Sequence, residues 1–374
     1  MEIQIKEVKT KKDLKAFVYL PEKIHKDHKN WVPPLYSDDM VFFDHRKNDS
    51  FKNCDHILIL AYRGKELVGR CMGLIHNKYN QDHNENCGRF SFLETDNDRE
   101  VFNALLDYTA SWAKSKGKTQ LIGPFTFSDH DPQGYLIEGY DEVNIIASYC
   151  NYPYITDFCN QYGFRKKVDL VEYKIEVPKE IPPIYAKIGE RFRNNQSTIR
   201  IEEFTSKLQF RPIIKPVLTL INNTFNDVYG FTPFSDKEMK DYANRYIFLL
   251  SPHFIKVARN EQNEVVGSII GMPDHSIGFQ KCKGRLFPFG FIKLIASGYK
   301  TNRLILLLGA IDRRYQGRGI DAYMGMKMIE SAHKKGITVI DSHLELETNV
   351  KVRAEMERMG GVVYKRFRIY EKDL

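Results

Sequence analysis

Apolar positions along the chain follow two rhythms, alternation at period two and recurrence at every third or fourth residue, and these mark out strands and helices. Toward the C-terminus, Leu304 to Ile311 is an apolar run suited to a buried strand, followed by a turn holding Gly317 and Gly319. Ile320, Met324, Met328 and Ala332 then recur at four-residue spacing, which predicts an amphipathic helix stopped at Lys334, Lys335 and Gly336. Thr338 to Leu346 predicts a second strand, Val352, Met356 and Met359 a short helix after Asn349, and Val362 to Tyr370 a final strand. In the first half, Gly88 to Leu93 predicts a strand and Val101 to Lys116 a helix closed by Gly117.

The pattern occurs twice. Ile3-Gln-Ile5-Lys-Glu7 recurs as Ile199-Arg-Ile201-Glu-Glu203, and His56 to Ala61 with Val68-Gly69 recurs as His253 to Ala258 with Val266-Gly267. Asn151, Phe158 and Gly163-Phe164 recur as Asn349, Met356 and Gly361-Val362. The offsets are 196, 197, 198 and 198 residues, and so constant an interval implies two copies of one fold. The expected organisation is a first domain over 1–178, a linker over 179–195 introduced by Pro178, Pro182 and Pro183, and a second domain over 196–374.

A strand feeding a glycine turn that opens a helix makes an anion site, because the first helical N–H groups lack partners and the dipole is positive there. Arg313, Arg314 and Arg318 add charge, so a phosphate group suits the turn. It is not a Walker A loop, and it lacks the third glycine and downstream acid of the dinucleotide fingerprint. In the first copy the corresponding turn holds Glu94, Asp96, Asp98 and Glu100. Coulomb repulsion and missing backbone room exclude a diphosphate there, so only the second copy is expected to bind one.

Arg314-Tyr315-Gln316-Gly317-Arg318-Gly319 resembles the Arg/Gln-x-x-Gly-x-Gly/Ala signature of the GNAT superfamily of acyl-CoA N-acyltransferases. The order strand, glycine turn, helix, strand, Asn, short helix, Gly, strand, over about 70 residues, is similar to the C-terminal half of a GNAT domain. The resemblance implies an α/β (α+β) chain of two tandem GNAT-like domains, each a mixed central sheet flanked by helices, with the N-terminal copy degenerate. It implies an acyltransferase that takes acetyl-CoA or a longer acyl-CoA and acylates an amine on a small molecule or peptide. Carried over by position, Gly309, Ala310 and Ile311 offer backbone groups to the pantetheine arm and thioester. Arg314, Tyr315, Gln316, Gly317, Arg318, Gly319 and Ile320 hold the diphosphate, and Asn349 sits by the arm.

The chain departs from the family at Met356, where a Tyr commonly acts as general acid; Phe158 is its counterpart in the first copy, and Asp321 replaces a small residue early in the helix. Tyr370, Tyr315 or water is left to supply the proton. For the base, His343, Glu345 and Glu347 alternate along the predicted strand and share a face. The expected catalytic residues are Glu347 and Tyr370. Two other readings stay open. Fem-like aminoacyl transferases are also tandem GNAT folds and take aminoacyl-tRNA, but their turn need not keep Gly-x-Gly; a CoA-binding sensor without catalysis is the reading Met356 allows.

Composition narrows the setting. With 374 residues, 42% hydrophobic and 28% charged, the chain is sized for two folded domains rather than disorder. No apolar run reaches the roughly 18 residues of a membrane span, the charged start is no signal peptide, and six cysteines lack metal or disulfide spacing. A cytoplasmic location is expected. The net charge of +8 is dispersed, so nucleic acid is not an expected partner, while a homodimer stays open. Two insertions stand out: Gly123 to Tyr135, long and aromatic, and Lys281 to Lys300, whose apolar stretch can cap a pocket, dock the other copy or touch a membrane, with packing the expected use.

Overall fold

The structure is a computed structural model that describes residues 2–146, 148–194 and 198–374. The first half contributes strands β1 (Ile3–Glu7), β2 (Cys54–Arg63), β3 (Glu66–His76), β4 (Cys87–Thr95), β5 (Gln120–Gly123), β6 (Tyr135–Glu138) and β7 (Arg165–Glu176). Its helices are α1 (Lys11–Ile24), α2 (Tyr36–Phe42), α3 (Asn77–Asp82), α4 (Arg99–Ser115) and α5 (Pro153–Tyr162). The second half contributes β8 (Arg200–Glu203), β9 (Ile255–Arg259), β10 (Val265–Pro273), β11 (Arg303–Ile311), β12 (Val339–Ser342), β13 (Glu345–Leu346) and β14 (Val362–Asp373). Its helices are α6 (Pro183–Arg193), α7 (Lys207–Phe210), α8 (Ile214–Thr224), α9 (Asp236–Tyr246), α10 (Ser276–Cys282), α11 (Gly290–Lys300), α12 (Ile320–Lys335) and α13 (Val350–Arg358).

The two copies expected from the repeat are present, and they exchange their last strands. The sheet runs β1-β2-β3-β4-β5-β14-β7-β12-β11-β10-β9-β8, with β6 beside β14 and β13 beside β7. Strand β14, last in the second copy, therefore completes the first copy's sheet against β5, and β7 completes the second against β12. The two exchanged strands pair antiparallel with Asp169 opposite Arg368 and Leu170 opposite Phe367. The offset of 198 that relates Gly163 to Gly361 carries Asp169 onto Phe367 and Leu170 onto Arg368. A local twofold axis thus passes between those two residue pairs, as an antiparallel pairing of equivalent strands requires.

Local chemistry explains the elements. Thr10 caps α1 in a reciprocal box with Asp13. Helix α12 buries Ile320, Met324, Met328 and Ala332, the residues whose spacing predicted it, and ends at Gly336 in the left-handed conformation. It also buries Tyr323 and Met326, because α6 covers its outer side: Tyr185 and Ile188 pack there and Phe192 stacks on Tyr323 at 4.4 Å. The segment expected as a linker is thus largely a packed helix.

One predicted strand is broken. Residues 338–346 form β12 and β13 with His343 and Leu344 between them. Parallel pairing to β11 stops at Leu306–Ser342, and the Ser342 hydroxyl takes over as acceptor for the Tyr173 N–H, so the ladder is interrupted before β13 rejoins β7.

Candidate functional site

In the second copy, β11 carries a bulge at Leu307, opposite the step between Ile270 and Gly271, and then turns away from its parallel neighbour. The last bond across is His343 N–H to the Leu306 carbonyl, 3.0 Å. Beyond it a gap opens, bordered by Leu307 to Ile311 on one side and His343 to Leu346 on the other. Among the described residues no side chain bonds to the backbone of 307–310 on that open edge. Gly309 is exposed, and a Cβ there would meet no atom within 4 Å. Ala310 is buried in the apolar layer beneath α8, and Ile311 packs with Ile320 and Tyr315.

The turn past the gap is open too. Gly317 and Gly319 have φ of 73° and 79°, conformations that L side chains adopt at a cost. Gly319 is the N-cap of α12 and brings no side-chain acceptor, so the first N–H groups of the helix face outward unsatisfied. Arg313, Arg314 and Arg318 are exposed around them. Arg314 is held by Asp312 at 2.7 and 3.0 Å, Arg313 by Asp227 at 2.5 Å, and Arg318 lies over the Tyr315 ring at 5.0 Å. The Gln316 amide donates to the Ile311 carbonyl, and the Tyr315 hydroxyl accepts from Asn260. Uncapped amides, room at Gly317 and a positive rim fit a diphosphate.

The first copy closes each of these features with its own side chains. The Asp98 carboxylate caps α4, accepting from Glu100 N and Val101 N at 3.1 and 3.2 Å, and is itself paired with Arg63. The bulged strand β4, where Phe92 has φ of 47°, has its backbone taken by three phenols. Phe92 N donates to Tyr149, Tyr135 donates to the Leu93 carbonyl, and Tyr154 donates to the Thr95 carbonyl, all within 2.9 Å.

The remaining expected residues divide. Asn349 caps α13 through Val352 N, and Met356 is packed with Ile175, Leu304 and Met328 rather than facing the gap. Glu347 is engaged by Lys166 and lies near Arg366, in an ionic cluster with Asp169 and Arg368 on the exchanged strands. Tyr370 is buried in the first copy's core beside Phe164, opposite Gly123. Its strand is three places from β11, or about 14 Å. The structure therefore does not bring the Glu347 and Tyr370 side chains to the gap. His343 and Glu345 border it by backbone: His343 N–H makes the last bond to β11, and Glu345 lies in β13 opposite Val171 of β7. Burial holds the His343 imidazole down at about 4, opposed by Asp129, and pushes the Glu345 carboxyl up to about 8.

Two pockets stand out, and the first of them shares Leu307 and Leu308 with the gap. An apolar one beneath α8 and α9 is lined by Phe210, Val217, Leu218 and Ile270 and by Leu307 and Leu308 of the bulge itself. A larger cleft, open to solvent on one side, is lined mainly by the first half, with Arg245, Leu249 and Phe279 of the second. Its walls include Trp31, Leu35, Phe92 and Phe279, and it contains Asp38, Asp39, Glu94 and Asp131 against Arg70 and Arg245. Burial raises Asp39 to about 7 and Asp131 to about 6. His130 Nε2 and Asn144 Oδ1, also on its wall, have no partner among the described residues. The sequence singled out the 123–135 loop but not these carboxylates; the Asp38-Asp39 pair after the aromatic, proline-rich stretch Trp31 to Tyr36 was the available signal.

No family model matches the chain. It is 28% identical to protein YghO of Escherichia coli over 97% of this chain and 94% of that one. It is 26% identical to a bacterial ceramide synthase of Caulobacter vibrioides over 98% and 96%. Among solved structures, a tandem GNAT protein from the clavulanic acid biosynthesis pathway aligns over 100% of this chain and 98% of its own, with TM-score 0.56 and 9% identity. The chain has the tandem GNAT fold that the glycine turn and the repeat implied.

Proposed function

We propose that this acyltransferase of the GNAT fold moves a medium- or long-chain acyl group from acyl-CoA to the amine of an amphipathic acceptor. What carries the reading is the contrast between equivalent places in the two copies: helix cap and strand edge are filled by Asp98 and three tyrosines in one, and left open in the other. Acyl-CoA supplies an acyl carbonyl activated as a thioester. The α12 amides with Arg318 hold the diphosphate end, and the open edge of 307–310 orients the arm and offers N–H groups to the carbonyl. An acyl chain longer than acetyl has a place in the apolar pocket at Leu307 and Leu308.

The acceptor enters from the larger cleft. Four carboxylates against two guanidiniums favour a cationic amine, and the aromatic walls favour an apolar body. The Caulobacter relative's name agrees, ceramide being an N-acylated long-chain amine. The bound ammonium first releases one proton to solvent; as the neutral nitrogen then bonds to the carbonyl carbon, His343, neutral at pH 7, takes a second proton from it. As the carbon–sulfur bond breaks, Glu345, protonated at pH 7, gives one to the sulfur. The proton on His343 then returns the pair to its starting state through solvent. Met356 leaves no role for the family's usual tyrosine, and Glu345 fills it.

Calorimetric titration with acetyl-, octanoyl- and palmitoyl-CoA tests the donor site. Gly317→Trp fills the cradle and is expected to weaken binding at least about tenfold, since the diphosphate loses its backbone contacts. Unchanged affinity in that variant would place the donor elsewhere.

A further inference from the structure

The α10–α11 hairpin is the most apolar exposed part of the molecule. Phe287 and Tyr299 are 85% and 88% exposed, Phe289 is 67% exposed, and Ile277, Phe291, Ile292 and Ile295 are all more than 40% exposed. On α11, residues 291, 292, 295 and 299 fall on one face, while Gly290 and Leu294 are buried on the other. The hairpin is rigid rather than loosely draped. A Cβ at Gly278 would stand 2.2 Å from the Ser297 hydroxyl and 2.9 Å from the Leu294 Cα, and one at Gly298 2.1 Å from the His275 ring, so the two helices pack with no room for a side chain at either glycine. The His275 ring spans the Leu294 and Leu249 carbonyls at 3.1 and 3.0 Å. Burial on the inner side is therefore satisfied without the outer residues, and they remain outward.

Charge decides what covers them. Residues 276–300 contain Lys281, Lys283, Arg285, Lys293 and Lys300 and no Asp or Glu. Arg285 is paired with Glu22, whereas the four lysines form no ion pair among the described residues. An aromatic and aliphatic face rimmed by unpaired lysines matches a layer that is apolar beneath and negative at its surface. We propose that this hairpin docks the protein onto the surface of an anionic lipid bilayer. The face lies on the interface plane and does not span it, since among the described residues no helix is long and apolar enough to cross a membrane. The inference stands without the acyl-transfer reading, which adds only a reason for an amphipathic acceptor to be nearby.

Cosedimentation with large unilamellar vesicles tests it. The full chain is expected to pellet with phosphatidylcholine vesicles containing 30% phosphatidylglycerol and much less with phosphatidylcholine alone. Phe287→Ser/Phe289→Ser/Tyr299→Ser, at exposed positions, should keep its circular dichroism and Tm while losing at least about tenfold in vesicle partition. Lys281→Glu/Lys283→Glu/Lys293→Glu should lose a similar factor on the anionic vesicles. A chain that stays in the supernatant, or a serine variant that pellets equally, overturns the proposal. So does light scattering that shows a dimer which the serine variant converts to a monomer, for then a second copy covers the face.

Discussion

Glu345 and His343 are both driven toward their neutral forms by the same burial, and neutrality makes one an acid and the other a base. The expected pH dependence follows. His343 accepts a proton only above about 4 and Glu345 donates only below about 8, so kcat should fall as pH rises through about 8. Glu345→Gln should lower kcat on the order of 100-fold, leave acyl-CoA affinity unchanged, and remove that alkaline limb from the residual activity. A variant with undiminished kcat rules Glu345 out. Stability gives a second readout. The folded pKa of Glu345 is raised above its unfolded value near 4.5, so the folded state binds more protons between those pH values and stability falls as pH rises across them. Glu345→Gln should flatten that fall by on the order of 2 kcal/mol between pH 5 and 8, less than full linkage because the strand edge is only half-buried. The sequence could not choose among His343, Glu345 and Glu347, because strict alternation treats them alike. The break after Ser342 and the Lys166 partner of Glu347 separate them, and both arise from β7, a strand more than 160 residues away in sequence.

Among the elements, β11 with the turn and α12 was legible almost residue for residue, since apolar period, glycine positions and stop signals all agreed. The bulge at Leu307 was not, because an apolar run gives no sign of where its ladder skips. On the proposed reading, that bulge limits the size of the acyl group. Leu307 and Leu308 close one side of the apolar pocket and Val217 of α8 the other, so Val217→Trp shortens the space without touching the gap. The variant should keep activity with acetyl-CoA and lose at least about tenfold in kcat/KM with palmitoyl-CoA, the burial of a long chain being worth several kcal/mol. Equal loss with both donors would mean the chain runs elsewhere. Helix α6 shows the opposite difficulty. Its prolines and charges read as a connection, yet Pro183 stands in its first turn, where proline is tolerated, and Tyr185, Ile188 and Phe192 form the stripe that α12 covers.

At the scale of the whole molecule, the repeat was written in the sequence as a constant offset, but the exchange of last strands was not. β7 and β14 carry equivalent patterns, and alternation says which face of a strand is buried without naming the sheet edge it joins. The exchange has a structural consequence. Strand β5 pairs with β14 over Gln120–Gly123, and β12 pairs with β7 over Val339–Asp341, so each half's sheet is finished by the other. The seam also holds a buried ion pair, Glu172 and Lys365 at 3.5 Å, in which Glu172 accepts from Ser148 and Lys365 donates to the Val143 carbonyl. Each charge is expensive to leave alone in the interior. Residues 1–178 expressed without the rest would expose β5 and β7 and strand Glu172 without its lysine. They are expected to be insoluble or to lack a cooperative thermal transition. Residues 1–194 and 198–374 expressed together should instead associate one to one, recover the circular dichroism of the intact chain and bind acyl-CoA, because every strand again has its neighbour. An isolated first half that melts cooperatively near the Tm of the whole protein would show that its own β7 can fold back beside β5, and that the exchange is a choice between two pairings of nearly equal free energy.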